Sequence, residues 1–284
     1  MKIARMIRGR SREAAALECL HQLWKEGKYE EVEARARALE AEAESGRRRR
    51  RGRGIAVARH AKVLATAAAC AHGRGAQVLT ELESLTAELH EMAGPGRVLL
   101  LMIRSNHMLV LNSEGRCGEA EAEGLDILRE LTRLKHLAPV WHVELCVLDN
   151  LVDALCGQAR YEEAEAIARG NLPRAERGTI AALHCGLVRS LNGQGRYDEA
   201  LTEARRFAPR WDRGLSGSLG LGTAVALHGL GRRSAAETAV REALTDCERF
   251  LHPDHPRIRE ARTLLARITA DEPPAPTAEE AALD

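Results

Sequence analysis

Five stretches of this chain repeat one pattern, and any fold it adopts must accommodate all of them. The clearest copy is Asn192-Gly-Gln-Gly-Arg-Tyr-Asp-Glu-Ala200. The others are Leu23-Trp-Lys-Glu-Gly-Lys-Tyr-Glu-Glu-Val32, Leu111-Asn-Ser-Glu-Gly-Arg-Cys-Gly-Glu-Ala120, Leu155-Cys-Gly-Gln-Ala-Arg-Tyr-Glu-Glu-Ala164 and Leu227-His-Gly-Leu-Gly-Arg-Arg-Ser-Ala-Ala236. A weaker sixth copy spans Ala69 to Val78. Each ends one apolar helical run and opens the next. The turn residues Gly27, Gly73, Gly115, Ala159, Gly195 and Gly231 lie 46, 42, 44, 36 and 36 positions apart. Self-similarity at that period predicts a stack of helix pairs, each burying its apolar face against its neighbours.

The pattern has a physical basis. A glycine just past a helix takes the left-handed conformation that stops it. The acidic pair that follows falls in the first turn of the next helix, where the helix dipole favours negative charge. A small residue three places after the tyrosine (Ala164, Ala200, and Ala236 where the tyrosine is lacking) allows close helix crossing, and Tyr29, Tyr161 and Tyr197 fill the gap beside it. The Gly-Arg/Lys-Tyr-Asp/Glu-Glu-Ala core closely resembles the tetratricopeptide repeat at the turn between its A and B helices. The match recurs six times and covers roughly residues 12 to 251. The resemblance implies an all-α fold, an α-solenoid wound as a right-handed superhelix of about six helix pairs.

Along the chain, residues 1–11 form a basic lead-in, 12–270 the solenoid and 271–284 a disordered tail with three prolines and no apolar period. Gly46-Arg-Arg-Arg-Arg-Arg-Gly-Arg-Gly54 interrupts the first and second pairs. The glycine-rich run from Gly214 to Gly222 weakens the helix of the sixth pair that contains it. Asp254 is placed to cap a last helix whose first turn tolerates Pro256, with Ile258, Ala261, Leu264, Leu265 and Ile268 on its apolar side. That helix closes the stack as a C-terminal cap. The run from Phe250 to Arg262 also resembles the inter-repeat connection of longer tetratricopeptide repeats of roughly 42 residues, common in actinobacterial regulators and kinesin-light-chain-like proteins.

Charge is nearly balanced, 42 basic against 41 acidic residues, so no global field recruits nucleic acid or membrane. The longest apolar run, Val98 to Ile103, is far below the ~18 residues of a membrane span, and the N-terminus lacks the apolar core of a secretory signal. Seven cysteines, odd in number and without a C-x-x-C, read as reduced thiols of a cytoplasmic protein. Gly27-Lys28 lacks the upstream glycine of a phosphate loop, and His142-Val-Glu144 lacks the Pro-Cys-x-x-Cys of a zinc deaminase. His252 and His255 have metal-like spacing but no further ligands, and the flanking prolines read as a turn. The sequence predicts no enzyme, metal or cofactor.

Two features remain. Arg47, Arg48, Arg49, Arg50, Arg51 and Arg53 could grip phosphates, though no aromatic lies among them to stack bases. The other is the A-helix face, which lines the groove in tetratricopeptide arrays. Asn106 and Asn150 occupy one repeat position, where the resemblance implies hydrogen bonds to the backbone of a bound extended peptide. An amide has the donor and acceptor this needs. Ser105, Asn112, Asp149, Asp153, Arg189, Asn192 and His228 fall nearby. The lysines of a carboxylate clamp are missing, because Ser105, Asp149 and Cys185 stand in their places. The favoured expectation is a non-catalytic scaffold or regulatory adaptor that binds a protein or peptide. The alternatives are a nucleic-acid module using the arginine tract, and a small-molecule sensor or atypical enzyme using the superhelix interior.

Overall fold

Six residues with left-handed backbone set the architecture of this computed structural model. Gly27, Gly73, Gly115, Ala159, Gly195 and Gly231 have φ of 66°, 93°, 76°, 58°, 72° and 68°. After each, the next N–H donates to the carbonyl five residues back: Lys28 to Leu23, Arg74 to Ala69, Arg116 to Leu111, Arg160 to Leu155, Arg196 to Leu191 and Arg232 to Leu227, at 2.8–3.0 Å. The left-handed residue itself donates three back, as Gly195 does to Asn192 at 3.0 Å. These two bonds are the Schellman closure, which pairs carbonyls the helix would otherwise leave open.

The structure describes residues 15–45, 53–90, 95–134, 136, 140–175, 177–206, 215–270 and 272–273. The basic lead-in, Arg47 to Arg51 and the tail beyond 273 lie outside them. Residues 15–25 form α1. Then follow α2 (Tyr29–Ser45), α3 (Arg53–His72), a short 3-10 turn (Gly75–Val78), α4 (Leu79–Leu89), α5 (Pro95–Ser113), α6 (Cys117–Leu134) and α7 (Trp141–Gly157). After these come α8 (Tyr161–Asn171), α9 (Arg177–Gly193), α10 (Tyr197–Arg206), α11 (Ser218–Gly229), α12 (Arg233–Phe250) and α13 (Pro256–Thr269). No strand occurs among the described residues, and consecutive helices pack in pairs. The fold is the expected all-α solenoid.

The chain groups into two compact units, Met1–Asn106 and His107–Asp284. In the first, Leu20, Leu23, Tyr29, Val32, Leu64 and Ala68 form a core between α1, α2 and α3. Trp24 meets Tyr29 edge-on with ring centres 4.9 Å apart. In the second, odd-numbered helices from α7 to α13 pack on one another in succession, while α8 and α10 each bridge two of them. Odd-numbered members of each pair are A helices and even-numbered ones B helices. The small residue of the motif sits at the fourth helical position of each B helix: Ala120, Ala164, Ala200 and Ala236 are fully buried.

Two contacts fix the spacing between successive pairs. The first is a socket. A methyl group built on Gly193 would lie 2.3–2.4 Å from three ring carbons of Tyr161, and one on Gly229 would lie 2.4–2.5 Å from the ring of Tyr197. Each tyrosine thus reaches the next A helix, one pair beyond the crossing it was expected to fill. The second is a clasp. Arg160 grips Glu163 through Nε and Nη2, both at 2.7 Å, and its Nη1 reaches Glu121 on the preceding B helix at 2.6 Å. Arg196 repeats this with Glu199 and with Glu165 at 2.6 Å. Gln158 and Gln194 donate to the same carboxylates, at 2.9 and 2.8 Å. These hydrogen bonds hold the Glu121 carboxyl below its ordinary range, those from Gln158 and Arg160 most strongly.

Gly193→Ala should cost about 1–3 kcal/mol, since a tyrosine ring has no flexible end to move aside. Gly170→Ala, with open space around the added methyl, should be neutral or stabilising by up to about 1 kcal/mol. Ala159→Gly should stabilise by about 0.5–1 kcal/mol, because left-handed backbone strains an alanine by more than glycine's entropy cost. Urea titrations of the three variants check all of these.

Candidate functional site

Counting back from the left-handed residue of each pair puts the A-helix side chains in register, and register decides which of them are available. The ninth position back holds Asn106, Asn150, Gly186 and Gly222. In the second unit this position faces the preceding A helix: a methyl on Gly186 would lie 2.5 Å from Val152 Cγ1, and one on Gly222 2.8 Å from Val188 Cγ1. Asn150 is accordingly buried, 3% exposed. Ser105 is buried as well, and Asn106 is half-buried.

The third position back holds Asn112, Cys156, Asn192 and His228. Asn112 Nδ2 donates to the Asn150 carbonyl at 2.9 Å and Asn192 Nδ2 to the Gly222 carbonyl at 2.8 Å. Both amides therefore join one A helix to the next. Their Oδ1 atoms, and His228 Nε2, are buried without a hydrogen-bond partner among the described residues. Asn112, Asn150, Asn192 and Ser105, expected to face a bound peptide, instead build the stack.

The tenth and sixth positions back remain, one helical turn apart and so on one face. They hold Asp149 and Asp153 on α7, Cys185 and Arg189 on α9, and Leu221 and Val225 on α11. Leu109 on α5 shares the register of Asp153. The side chains of Asp153 and Arg189 are 40% and 51% exposed and face each other with Nη1 to Oδ1 at 3.4 Å. Asp149 makes no hydrogen bond or ion pair among the described residues. Burial pushes its carboxyl well above the usual carboxylate range, and the Asp153 charge adds to the shift. Burial also raises the thiols of Cys146 and Cys156 to about 12 and that of Cys185 to about 11, so none is a nucleophile near neutral pH.

Two side chains of α13, a helix expected only to cap the stack, act on the same face. Glu260 contributes to the field at Arg189, and Arg257, whose Nη1 donates to the Ser216 carbonyl at 3.0 Å, to that at Cys185. Both fall in the run from Phe250 to Arg262 that resembles an inter-repeat connection, but nothing in that run points to this face. Its cap also differs from expectation: His255 Nδ1, rather than Asp254, accepts the Arg257 N–H at 3.1 Å. The imidazole is already aimed at the first turn. His252 Nδ1 takes the Asp254 N–H at 3.3 Å, in keeping with a turn.

Among the described residues, no group of three or more His, Cys, Asp or Glu is arranged to hold a metal, and no helix is long and apolar enough to cross a membrane. All seven cysteines are free thiols, and Cys19 is exposed. Of the arginine tract, Arg47 to Arg51 lie outside the described residues, and Arg53 opens α3.

Residues 224–257 match a family described as tetratricopeptide repeat. The match runs from the middle of α11 through α12 and the His-Pro turn into the first turn of α13. No curated protein and no solved structure matches the chain significantly.

Because Asp149 keeps its proton to higher pH when folded than when unfolded, stability falls as pH rises from about 3.9, the unfolded value, towards the folded value. Asp149→Asn should therefore match wild type near pH 3 and be the more stable of the two at pH 7. Thermal melts across this range should show the gap opening with pH.

Proposed function

As the chain is a tetratricopeptide-repeat protein, we propose that it is a non-catalytic scaffold whose partner lies across the A-helix face of α7, α9 and α11. The all-helical repeat fold is typically a protein-interaction platform, and the finer reading concerns where this chain does its binding. One observation carries it. Asn112 and Asn192 are bonded to neighbouring backbone and Asn150 is buried, whereas Asp153 and Arg189 share one contact of 3.4 Å and Asp149 makes no hydrogen bond or ion pair among the described residues. The Asp153–Arg189 contact is single, long and exposed, which contributes little to stability. Asp149 costs stability outright. An ionisable group kept at that expense suits recognition better than packing.

The side chains around the pair favour an extended segment. Successive A helices carry Asp153, Arg189 and Val225 in the same register, Val225 partly buried against the core of α11, α12 and α13, so a strand-like ligand crossing them meets an acid, a base and the edge of an apolar cluster in turn. The free thiols nearby are too weakly acidic for covalent chemistry, in keeping with a binding role.

A photo-crosslinking amino acid at Val225 should trap a discrete protein adduct in the native host. The same group at exposed Glu242 on α12 should give at least fivefold less. Adducts of equal yield from the two sites would overturn the assignment of the face.

A further inference from the structure

We propose that His21 and His60 form an acid-sensitive latch, which holds α1 against α3 near neutral pH and releases it as the two rings take up protons. The device lies in the first unit and is independent of the partner face. His21 follows Leu20 on α1, and His60 stands one turn before Leu64 on α3. Both leucines belong to the core between α1, α2 and α3, so the two histidines flank the same join. Their rings meet edge-on, with centres 5.8 Å apart and planes at 87°. His60 Nε2 is buried and has no hydrogen-bond partner among the described residues.

A neutral imidazole suits this place and a charged one does not. The neutral ring carries a single N–H, so Nε2 can stay unprotonated, and edge-to-face contact between two neutral rings is favourable. Protonation makes both ring nitrogens donors. Nε2 then becomes a buried N–H without an acceptor, beside a second ring that can also be a cation. Burial, and after it the His21 charge, accordingly holds His60 below the ordinary histidine range. The charges on the surrounding elements are engaged elsewhere or lie in solvent. On α2, Arg35 pairs with Glu31, Arg37 pairs with Glu33 and with Glu81 of α4, and Glu40 lies in the field of Lys62 and Glu44. Glu88 of α4 takes Arg59, the 3-10 turn carries no charge, and Glu18 and Lys25 of α1 are exposed. His21 is the charge that acts on His60. Because His60 gains its proton at lower pH when folded than when unfolded, the join weakens as pH falls from about 6.5, the unfolded value, towards the folded one. Release would uncover Leu20 and Leu23, which are buried in the closed state.

The test is amide hydrogen exchange of the full chain at pH 7.5 and pH 5.5, corrected for the intrinsic pH dependence of exchange. Amides from Leu20 to Lys25 should exchange about fivefold faster or more at pH 5.5, measured against those of α2. In an NMR titration the His60 ring should have a midpoint below about 6.5, and α1 exchange should rise with that same midpoint. His60→Phe keeps a ring at the join but cannot take a proton, so α1 should stay closed at both pH values. Unchanged α1 exchange in the wild type, a His60 midpoint at or above the free value, or acid opening that persists in His60→Phe overturns the inference. Should phenylalanine itself displace α1, the wild-type midpoints decide: coincidence supports the latch and separation overturns it.

Discussion

A helix that must stop and reverse at a set point needs a residue able to turn left-handed there, and everything else in this protein follows from six such points. At each, two backbone bonds close the A helix, and the following residue's carbonyl starts the B helix or, at Arg74, the 3-10 turn that leads into it. The direction of reversal is then fixed locally, before any long-range contact forms. That is why one short motif, spaced irregularly at 46 to 36 residues, yields the same hairpin each time. Ala159 shows how strong the requirement is: the backbone adopts φ of 58° there although the side chain opposes it.

Once the hairpins exist, stacking sorts A-helix residues by register. Positions that face the preceding helix must be small or buried, and positions beside the next helix can donate to its backbone. On α7 the turn-apart pair Asp149 and Asp153 makes no bond to a neighbouring backbone among the described residues. The division explains why asparagines with the right chemistry for a peptide are engaged within the protein, while a less conspicuous Asp-Asp-Arg group is available. It also explains the electrostatics. A carboxyl buried beside a second carboxylate holds its proton to higher pH.

The fold was legible because its determinants are local. Turn glycines, the acidic first turn and the buried alanine each act within a few residues, so their spacing in sequence is their spacing in space. The proline at the start of α13 was legible for the same reason. Relations between pairs were harder. That Tyr161 seats on Gly193, or that Gln158 and Arg160 share Glu121, depends on which face of the next hairpin is presented. Aligning the copies does reveal the partners: a glycine two places before the turn residue, and a glutamate four places into the preceding B helix. The candidate site was half legible. Asp149, Asp153 and Arg189 were among the residues singled out, but their separation from Asn150 and Asn192 rests on neighbours that composition and motif cannot supply. Glu260 and Arg257 come from a helix outside the repeat register, and only folding brings them in.

The tyrosine seats have a bearing on how such a chain can change length. Tyr161 with Gly193 and Tyr197 with Gly229 are the same knob and hole, displaced by one 36-residue period. A tandem duplication of that period would present its own knob to the old hole and its own hole to the old knob. The new hairpin would dock without any surface having to be reinvented, and the row of A helices would gain one member while keeping its phase. Growth by copying is thus built into the join.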